Sequence, residues 1–261
     1  MKRIRRSLLL LSLLMITIIL SSCKSQSDKI VIGYVQITSD PVLDLAKKSL
    51  FKVLSDSGYI DGQNIKILEQ NAEGDLSMLP SILQSFISNR VDLIITNGTP
   101  CMQAAAQIVR DIPVIFTVSF GPGQIGLKEI PENLFGVYDS LEVGNTVDLI
   151  QKCLPGLKKV GIPFNNSEPN AVYAQGIFSA EFNKRGIEVE SVSVNSANDI
   201  LLAGQALAQK NINMFFVSAD NTIYLGLNAL AKVANDSKIP LIVTDPMQIN
   251  KGAAMGYGVN Y

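Results

Sequence analysis

The chain has 261 residues, 47% hydrophobic and 17% charged, which is enough to bury a sizeable core in one large domain or two small ones. It contains no histidine, which excludes Ser-His-Asp and Cys-His catalysis, histidine-ligated zinc and iron sites, and histidine pH switches. Without the four basic residues before position 23, 18 Lys and Arg remain against 23 Asp and Glu, a net charge of −5 that argues against nucleic acid as a partner.

The first residues predict an export signal. A basic n-region precedes an apolar run from Leu8 to Leu20, which has the length of a signal peptide and is short for a membrane span. Leu20-Ser21-Ser22-Cys23 resembles the bacterial lipobox, in which the cysteine is diacylated and becomes the new N-terminus. The alternative is an ordinary signal peptide with a chance cysteine. We interpret residues 1–22 as a lipoprotein signal peptide and residues 23–28 as a tether. Acyl chains on Cys23 would anchor the exported protein to the cell membrane, on its periplasmic or outer face.

From residue 29 onward, apolar runs of strand length alternate with segments of helical periodicity. This alternation predicts two α/β lobes with mostly parallel, doubly wound sheets, joined by a hinge. We assign residues 29–138 to the first lobe, 139–252 to the second, and 253–261 to a strand that returns toward the first lobe. The predicted strands are 30–35, 65–68, 91–96, 113–118, 159–162, 187–192, 213–217 and 239–243. The predicted helices are 42–58, 76–88, 101–109, 141–154, 171–184, 198–209 and 222–234.

Polar loops follow several of the predicted strands, and in open parallel sheets ligands bind beyond these strand ends. Asn165 to Asn170 forms one such loop. Gly98-Thr99-Pro100 forms another: glycine allows a sharp turn, and the following helix start would present amides to an anionic group such as a carboxylate. A well-capped helix without a ligand explains the same residues equally well.

Cys101 and Cys153 are the other cysteines. They fall on separate predicted helices, so we favour buried free thiols over a disulfide, which an exported chain would allow.

These loops, together with Asp220-Asn221-Thr222 and the glycines around Tyr257, resemble the substrate-binding lipoproteins of ABC transporters with the type I periplasmic-binding-protein fold. The resemblance extends over residues 28 to 261 and is strongest to the branch that includes tryptophan and tyrosine binders. It implies a hinged receptor that captures a small solute, such as an amino acid, and delivers it to an inner-membrane permease. Compared with that family, the chain looks short at its C-terminus, and one apolar face or edge of the first sheet would be less protected.

The family pattern also implies which residues line the cleft. Backbone amides at Gly98-Thr99 and the hydroxyls of Ser119 or Ser167 would hold a carboxylate. Asp220 would pair with an ammonium group, although a simple N-cap role is an equal alternative. Tyr34, Phe120 and Phe164 are the candidate stacking aromatics. The full set of predicted ligand-binding residues is Thr38, Ser39, Gly98, Thr99, Ser119, Ser167, Asn170, Asp220 and Asn221.

One departure from the family pattern and two alternative functions complete the prediction. The aspartate that family members commonly have near Phe120-Gly121 is missing, which weakens the assignment of an aromatic ligand and leaves a branched aliphatic amino acid or another small metabolite as alternatives. An enzyme would have to rely on carboxylates such as Asp40, Glu168, Asp220 and Asp245, together with Lys251. Their spacing matches no known catalytic pair, and no phosphate-binding glycine motif follows a strand. A solute-sensing lipoprotein that feeds no transporter is the other alternative. No cofactor or metal is expected.

Overall fold

The computed structural model describes residues 29–258, which form two lobes, each built on one five-stranded sheet. The predicted signal peptide, the tether with Cys23, and residues 259–261 lie outside the described part. Every pair of neighbouring strands in both sheets is parallel. The α/β architecture expected from the alternating periodicities is therefore confirmed.

The first lobe has its strands in the order β2-β1-β3-β4-β5. Helices cover both faces of this sheet: Phe86 and Met102 belong to the core beneath two of them, and Phe51 of a third helix packs on Tyr34. The strands are β1 (Ile30–Gln36), β2 (Ile65–Asn71), β3 (Leu93–Asn97), β4 (Val114–Thr117) and β5 (Leu134–Gly136). The helices are α1 (Pro41–Asp56), α2 (Leu79–Ser88) and α3 (Thr99–Ile108), with a 3₁₀ turn at Leu76–Met78.

The second lobe has its strands in the order β10-β9-β8-β6-β7. One face of its sheet packs on a cluster of Phe178, Phe182 and Phe216, and the other on a largely aliphatic core. The strands are β6 (Lys159–Asn165), β7 (Glu188–Val194), β8 (Met214–Val217), β9 (Leu241–Val243) and β10 (Met255–Gly256). The helices are α4 (Val143–Cys153), α5 (Pro169–Lys184), α6 (Ile200–Ala208), α7 (Asn221–Leu225) and α8 (Leu227–Ser237), with 3₁₀ turns at Ala197–Asp199 and Pro246–Lys251.

Several element boundaries differ from the predicted ones. The segment after Asn133, interpreted as a connection between lobes, contains β5, which pairs with β4 and extends the first sheet. The helix predicted over 222–234 is two helices that meet at Gly226, where a Cβ would lie 2.5 Å from Ile200 Cδ1. Strand β6 continues to Asn165 because it pairs with β7 along its whole length.

The end of the described chain also differs from its prediction. The sequence predicts a return toward the first lobe over residues 253–261. The structure instead places Met255–Gly256 at the edge of the second sheet, parallel to β9. Residues 259–261 of this segment lie outside the described part.

The two described cysteines are free and lie in different lobes. Cys101 on α3 is fully buried, and burial raises the pKa of its thiol. Cys153 at the end of α4 is exposed, so the expectation of burial is correct for only one of the two. Within residues 29–258, the helices are too short or too polar to cross a membrane.

Two glycines test how tightly the helices pack. Gly33 of β1 lies under α2, and a Cβ there would approach the Phe86 ring to 2.8 Å. We expect Gly33→Ala to lower the free energy of unfolding by about 1–3 kcal/mol, because the helix must shift. Gly176 is exposed inside α5, and a Cβ there would meet nothing within 4 Å. Gly176→Ala should therefore raise the free energy of unfolding by about 0.5–1 kcal/mol. Urea denaturation measures the free energy of unfolding of both variants. Changes of the same sign in the two variants would contradict this account.

Candidate functional site

Loops from both lobes enclose a cavity of about 110 Å³. The first lobe contributes the loops after β1, β3 and β4, and the second contributes those after β6, β8 and β9. All of these loops follow carboxyl ends of strands, so the two sheets direct the same edge toward the cavity. It is lined by Asp40, Val42, Leu43, Gly98, Thr99, Val118, Ser119, Phe120, Asp139, Leu141, Asn170, Ala219, Asn221, Tyr224, Thr244 and Asp245.

The first lobe contributes the start of α3 to the cavity wall. Gly98 and Thr99 line the cavity, and no side chain caps this helix. Gly98 has a φ of 105°, which favours glycine, and a Cβ there would lie 3.0 Å from Ile37 Cγ2. Thr99 Oγ1 accepts a 3.1 Å hydrogen bond from the Phe120 amide and thereby joins two loops. This wall carries the partial positive charge of a helix N-terminus and favours an anionic group.

Two residues that line the cavity have left-handed backbone conformations although they are not glycine. Val118 has a φ of 46° and Ala219 a φ of 48°. Each lies shortly after a strand, Val118 after β4 and Ala219 after β8. Such conformations cost about 1–3 kcal/mol each and persist only where the surroundings hold them. Both lobes therefore hold a strained turn at the cavity.

A buried carboxylate organises the wall of the second lobe. Glu168 accepts hydrogen bonds from the amide and side chain of Asn221 at 3.1 and 2.6 Å, and from the amide and hydroxyl of Thr222 at 2.9 and 2.6 Å. It also accepts a 3.0 Å bond from Asn170 Nδ2. Glu168 therefore joins the loop before α5 to the first turn of α7, and it orients Asn170 and Asn221, which both line the cavity.

Asp220 lies beside this carboxylate and does not line the cavity. It is 1% exposed, and its carboxylate accepts from the amides of Ile223 at 2.9 Å and Asn165 at 2.7 Å. Burial, reinforced by the charge of Glu168, raises the pKa of Asp220, and the amide hydrogen bonds oppose this change. Of the two roles that the sequence leaves open, the geometry therefore matches the cap of α7 and not an ammonium partner.

Asp40 and Asp245, which are joined through Gln248, form an acidic side of the cavity, and Asp139 also lines the cavity. Asp40 Oδ2 and Asp245 Oδ2 both accept from Gln248 Nε2, at 2.7 and 2.8 Å. Burial raises the pKa of Asp245, and the hydrogen bonds from the Gln248 side chain and the Met247 amide oppose this change. The charges of Asp40, which raises this pKa, and of Lys251, which lowers it, have smaller effects. The part of the chain described here, residues 29–258, contains no group of three or more His, Cys, Asp or Glu side chains placed to hold a metal ion.

The lobes also contact each other beside the cavity. The ring of Phe120 meets the ring of Tyr173 edge-on at 4.9 Å between centroids. Gln124 Nε2 donates a 3.2 Å hydrogen bond to the hydroxyl of Tyr173. Phe120 and Gln124 belong to the first lobe and Tyr173 to α5 of the second, so these contacts join the lobes.

Comparison with known proteins identifies the family. Residues 31–261 match the family described as ABC transporter substrate binding protein. The chain belongs to this family.

The relatives of this substrate-binding protein include proteins with named ligands. It is 35% identical over 234 residues to the tyrosine-binding protein of Clostridioides difficile, covering 88% of this chain and 68% of the relative. A solved ABC domain from Streptococcus pneumoniae in complex with L-Trp is 29% identical with a TM-score of 0.82, over 89% of this chain and 80% of that one. A conserved domain protein from Vibrio cholerae is 27% identical with a TM-score of 0.84, over 90% and 80%.

The family membership confirms several predictions together. The protein is the substrate-binding component of an ABC transporter and has the two-lobed periplasmic-binding-protein fold. It binds a solute and is not an enzyme, because the family works by capture rather than by chemistry. The enzyme alternative is therefore discarded.

The structure brings five of the predicted ligand-binding residues of this substrate-binding protein to the cavity. They are Gly98, Thr99, Ser119, Asn170 and Asn221. The helix start after β3 is thus in the predicted place. Ser119 Oγ donates to the Phe120 carbonyl at 2.8 Å, so its hydroxyl hydrogen is already engaged.

Three other predicted residues lie elsewhere, in addition to Asp220. Thr38 is buried in the first lobe, where its carbonyl accepts from a glutamine side chain of β1. Ser39 is exposed, and its hydroxyl accepts a 3.1 Å bond from Asn71 Nδ2. Ser167 borders a separate open crevice of about 380 Å³ between the lobes, next to Tyr173.

Only one of the three candidate stacking aromatics lies at the cavity. Phe120 lines the cavity, whereas Tyr34 is a core residue that packs on Phe51, and Phe164 borders a small pocket within the second lobe. Tyr224 also lines the cavity and was not predicted, because its position fits the apolar face of a helix.

The acidic side of the cavity is the main feature that the site prediction misses. Asp40 and Asp245 were expected only as acids for the discarded enzyme alternative, and Asp139 was not expected at the site. A signal was present: Asp40-Pro41 and Asp245-Pro246 repeat the same N-cap and proline pair after β1 and after β9.

Removal of the Asp220 carboxylate tests its structural role. Asp220→Ala leaves the amides of Asn165 and Ile223 without their acceptors, so the free energy of unfolding should fall by about 2–4 kcal/mol. Asp75 caps an exposed 3₁₀ turn through the Ser77 amide and is the matched control. Asp75→Ala should lower the free energy of unfolding much less, because this cap is fully exposed. Urea denaturation compares the two variants.

Asp220→Asn tests whether this side chain holds the ligand. It keeps the size of the side chain and removes the charge, so we expect the affinity for solute to stay within about threefold of the wild type. Calorimetric titration measures it, and a loss of about thirtyfold or more would return Asp220 to the role of ammonium partner.

Proposed function

We propose that this substrate-binding protein captures a free amino acid, preferably an aromatic one, by closure of its lobes. The observation that carries the proposal is the arrangement of the cavity, which has the uncapped start of α3 in one wall and acidic side chains in another. A zwitterionic amino acid carries a carboxylate that suits the α3 wall and an ammonium group that suits the acidic wall. Phe120 and Tyr224, with Leu43 and Leu141, supply an apolar surface for its side chain.

The ligand carboxylate binds at Gly98 and Thr99 in this proposal. The positive end of the α3 dipole favours an anion there, and the left-handed Gly98 lets the backbone approach it closely. The names of two relatives support an aromatic ligand, since one is a tyrosine-binding protein and the other is in complex with L-Trp.

Closure depends on a ligand that contacts both lobes. Phe120 packs on Tyr173 and Asp40 accepts from Gln248, so the arrangement of the lobes in this structure already has contacts beside the cavity. A ligand adds contacts that an open form cannot make, and only such contacts shift the population toward the closed form. The closed, loaded protein then presents its solute to the permease of the importer.

Capture requires attachment at the membrane where the permease lies. Because the Leu20-Ser21-Ser22-Cys23 sequence follows a signal-peptide pattern, we assign Cys23 as the lipidated N-terminus of the mature protein. Two or three acyl chains give stable anchoring, which a single chain does not.

Calorimetry with L-tyrosine, L-tryptophan, L-phenylalanine and L-leucine tests the ligand class. We expect one of the aromatic amino acids to bind most tightly and to raise the melting temperature at saturation. Phe120→Ala should weaken that binding by about ten- to a hundredfold, because an aromatic wall of the cavity is lost. Phe135 is 57% exposed at the sheet edge, and Phe135→Ala is the matched control that should leave affinity unchanged. No binding by any of the four would refute the proposed function.

Cell fractionation tests the anchor. Wild-type protein should be found with membranes, and Cys23→Ala should release it into the soluble exported fraction, because no acyl chain can attach. Cys153→Ala removes an exposed thiol elsewhere and serves as the control. Incorporation of radioactive fatty acid into the Cys23→Ala protein would contradict the assignment.

A further inference from the structure

Two buried amide side chains lie side by side next to the first lobe's wall of the cavity. Gln36 ends β1 and Asn97 ends β3, and the parallel register pairs these two positions. Gln36 is 2% exposed and Asn97 is 0% exposed. Asn97 Nδ2 donates to Gln36 Oε1 at 3.2 Å, so the two amides are hydrogen bonded to each other. Neither side chain lines the cavity itself.

Each amide also donates to the loop that follows β1. Gln36 Nε2 donates to the Thr38 carbonyl and to Asp44 Oδ1, at 2.7 Å in both cases. Asn97 Nδ2 donates to the Leu43 carbonyl at 2.9 Å. The two amides therefore hold this loop near both of its ends.

The held loop, residues 38–44, is part of the cavity wall. It supplies the side chains of Asp40, Val42 and Leu43. Asn97 is followed directly by Gly98, where the wall formed by the start of α3 begins. Asn97 thus contacts one part of the wall through its side chain and continues into another part through its backbone.

Hydrogen bonds fix which end of the Asn97 amide faces the loop. Its Nδ2 also donates to the Tyr34 hydroxyl at 2.6 Å, whereas its Oδ1 is buried without a partner in the described chain. A turned amide would place Oδ1 against the Leu43 carbonyl and Gln36 Oε1, which are both acceptors. A buried acceptor without a donor is unfavourable. The position therefore keeps a donor toward the loop at a cost in stability.

We propose that Asn97, together with Gln36, is a positioning residue for solute capture, and that it fixes the held loop relative to the turn at Gly98. This inference rests on the proposed function, because it concerns the same cavity. A solute that touches both parts of the wall loses contacts when one part moves, so affinity depends on a side chain that does not touch the solute.

Calorimetric titration with L-tyrosine and L-tryptophan tests the effect on affinity. Asn97→Ala removes the donor to the Leu43 carbonyl, and we expect the tighter binding of the two amino acids to weaken at least about tenfold. Tyr34→Phe removes one partner of Asn97 and leaves the bond to Leu43, so affinity should stay within about threefold of the wild type. An Asn97→Ala affinity within about threefold of the wild type overturns the proposal.

Asn133→Ala is the matched control. Asn133 Nδ2 donates to the Ile112 carbonyl at 2.7 Å, and these residues precede β5 and β4, at the end of the sheet opposite the cavity. Urea denaturation should show a lower free energy of unfolding for both asparagine variants, whereas only Asn97→Ala should bind more weakly. An equal loss of affinity in Asn133→Ala would assign the effect to general destabilisation and overturn the positioning role.

Hydrogen exchange followed by mass spectrometry tests the positioning without a ligand. The amides of residues 40–44 should exchange at least about tenfold faster in Asn97→Ala than in the wild type, because the loop opens more often. Those of β4 should exchange at an unchanged rate, and Asn133→Ala should leave the loop unchanged. Exchange of the loop at the wild-type rate in Asn97→Ala overturns the proposal.

The two measurements separate the possible failures. If the wild type binds neither amino acid, the proposed function fails, and hydrogen exchange still tests the positioning. An Asn97→Ala protein that is unfolded by circular dichroism is replaced by Gln36→Met, which keeps the length of the side chain and removes the donors to Thr38 and Asp44. The same changes in affinity and exchange are expected of it, and their absence has the same meaning.

Discussion

The buried carboxylate of Glu168 is the interaction on which the second lobe's wall depends. A carboxylate removed from water is costly unless it is hydrogen bonded, and here five donors from α5 and α7 compensate for that cost. Two of those donors belong to Asn221 and one to Asn170, which both line the cavity. Glu168 therefore sets the shape of the wall although it does not itself line the cavity. Asp220 in turn accepts from the amide at the end of β6 and fixes that strand end beside the wall.

In the function proposed above, the cavity selects its ligand through an asymmetry of charge. One wall has the partial positive charge of the α3 start, and the opposite charge is supplied by Asp40, Asp139 and Asp245. Neither wall contributes a full positive charge, so a simple anion would gain little binding free energy. A zwitterion would gain binding free energy at both walls. Each lobe places one strained turn at this cavity, at Val118 and at Ala219, and strain of this type is common where a site is preorganised.

The architecture could be predicted because parallel strands and helices differ in hydrophobic period along the whole chain. Gly98-Thr99-Pro100 was also recognised as part of the site, since a glycine turn and a proline at a helix start are local signals. The partner of Asp40 could not be found in this way, because Gln248 is 208 residues distant in sequence. Asn165 was assigned to a loop for a related reason: its buried amide donates to Thr222 of a distant helix, which a local pattern does not reveal.

The placement of the two cysteines has a practical consequence for studies of stability. Cys101 is completely enclosed in the first lobe, whereas Cys153 is accessible on the second. A thiol reagent reacts with an enclosed cysteine only when the structure around it opens, and with an accessible one at once. Each molecule thus carries an internal reference: the reaction rate of Cys101 relative to that of Cys153 reports the opening of the first lobe. No reporter group has to be engineered for this measurement.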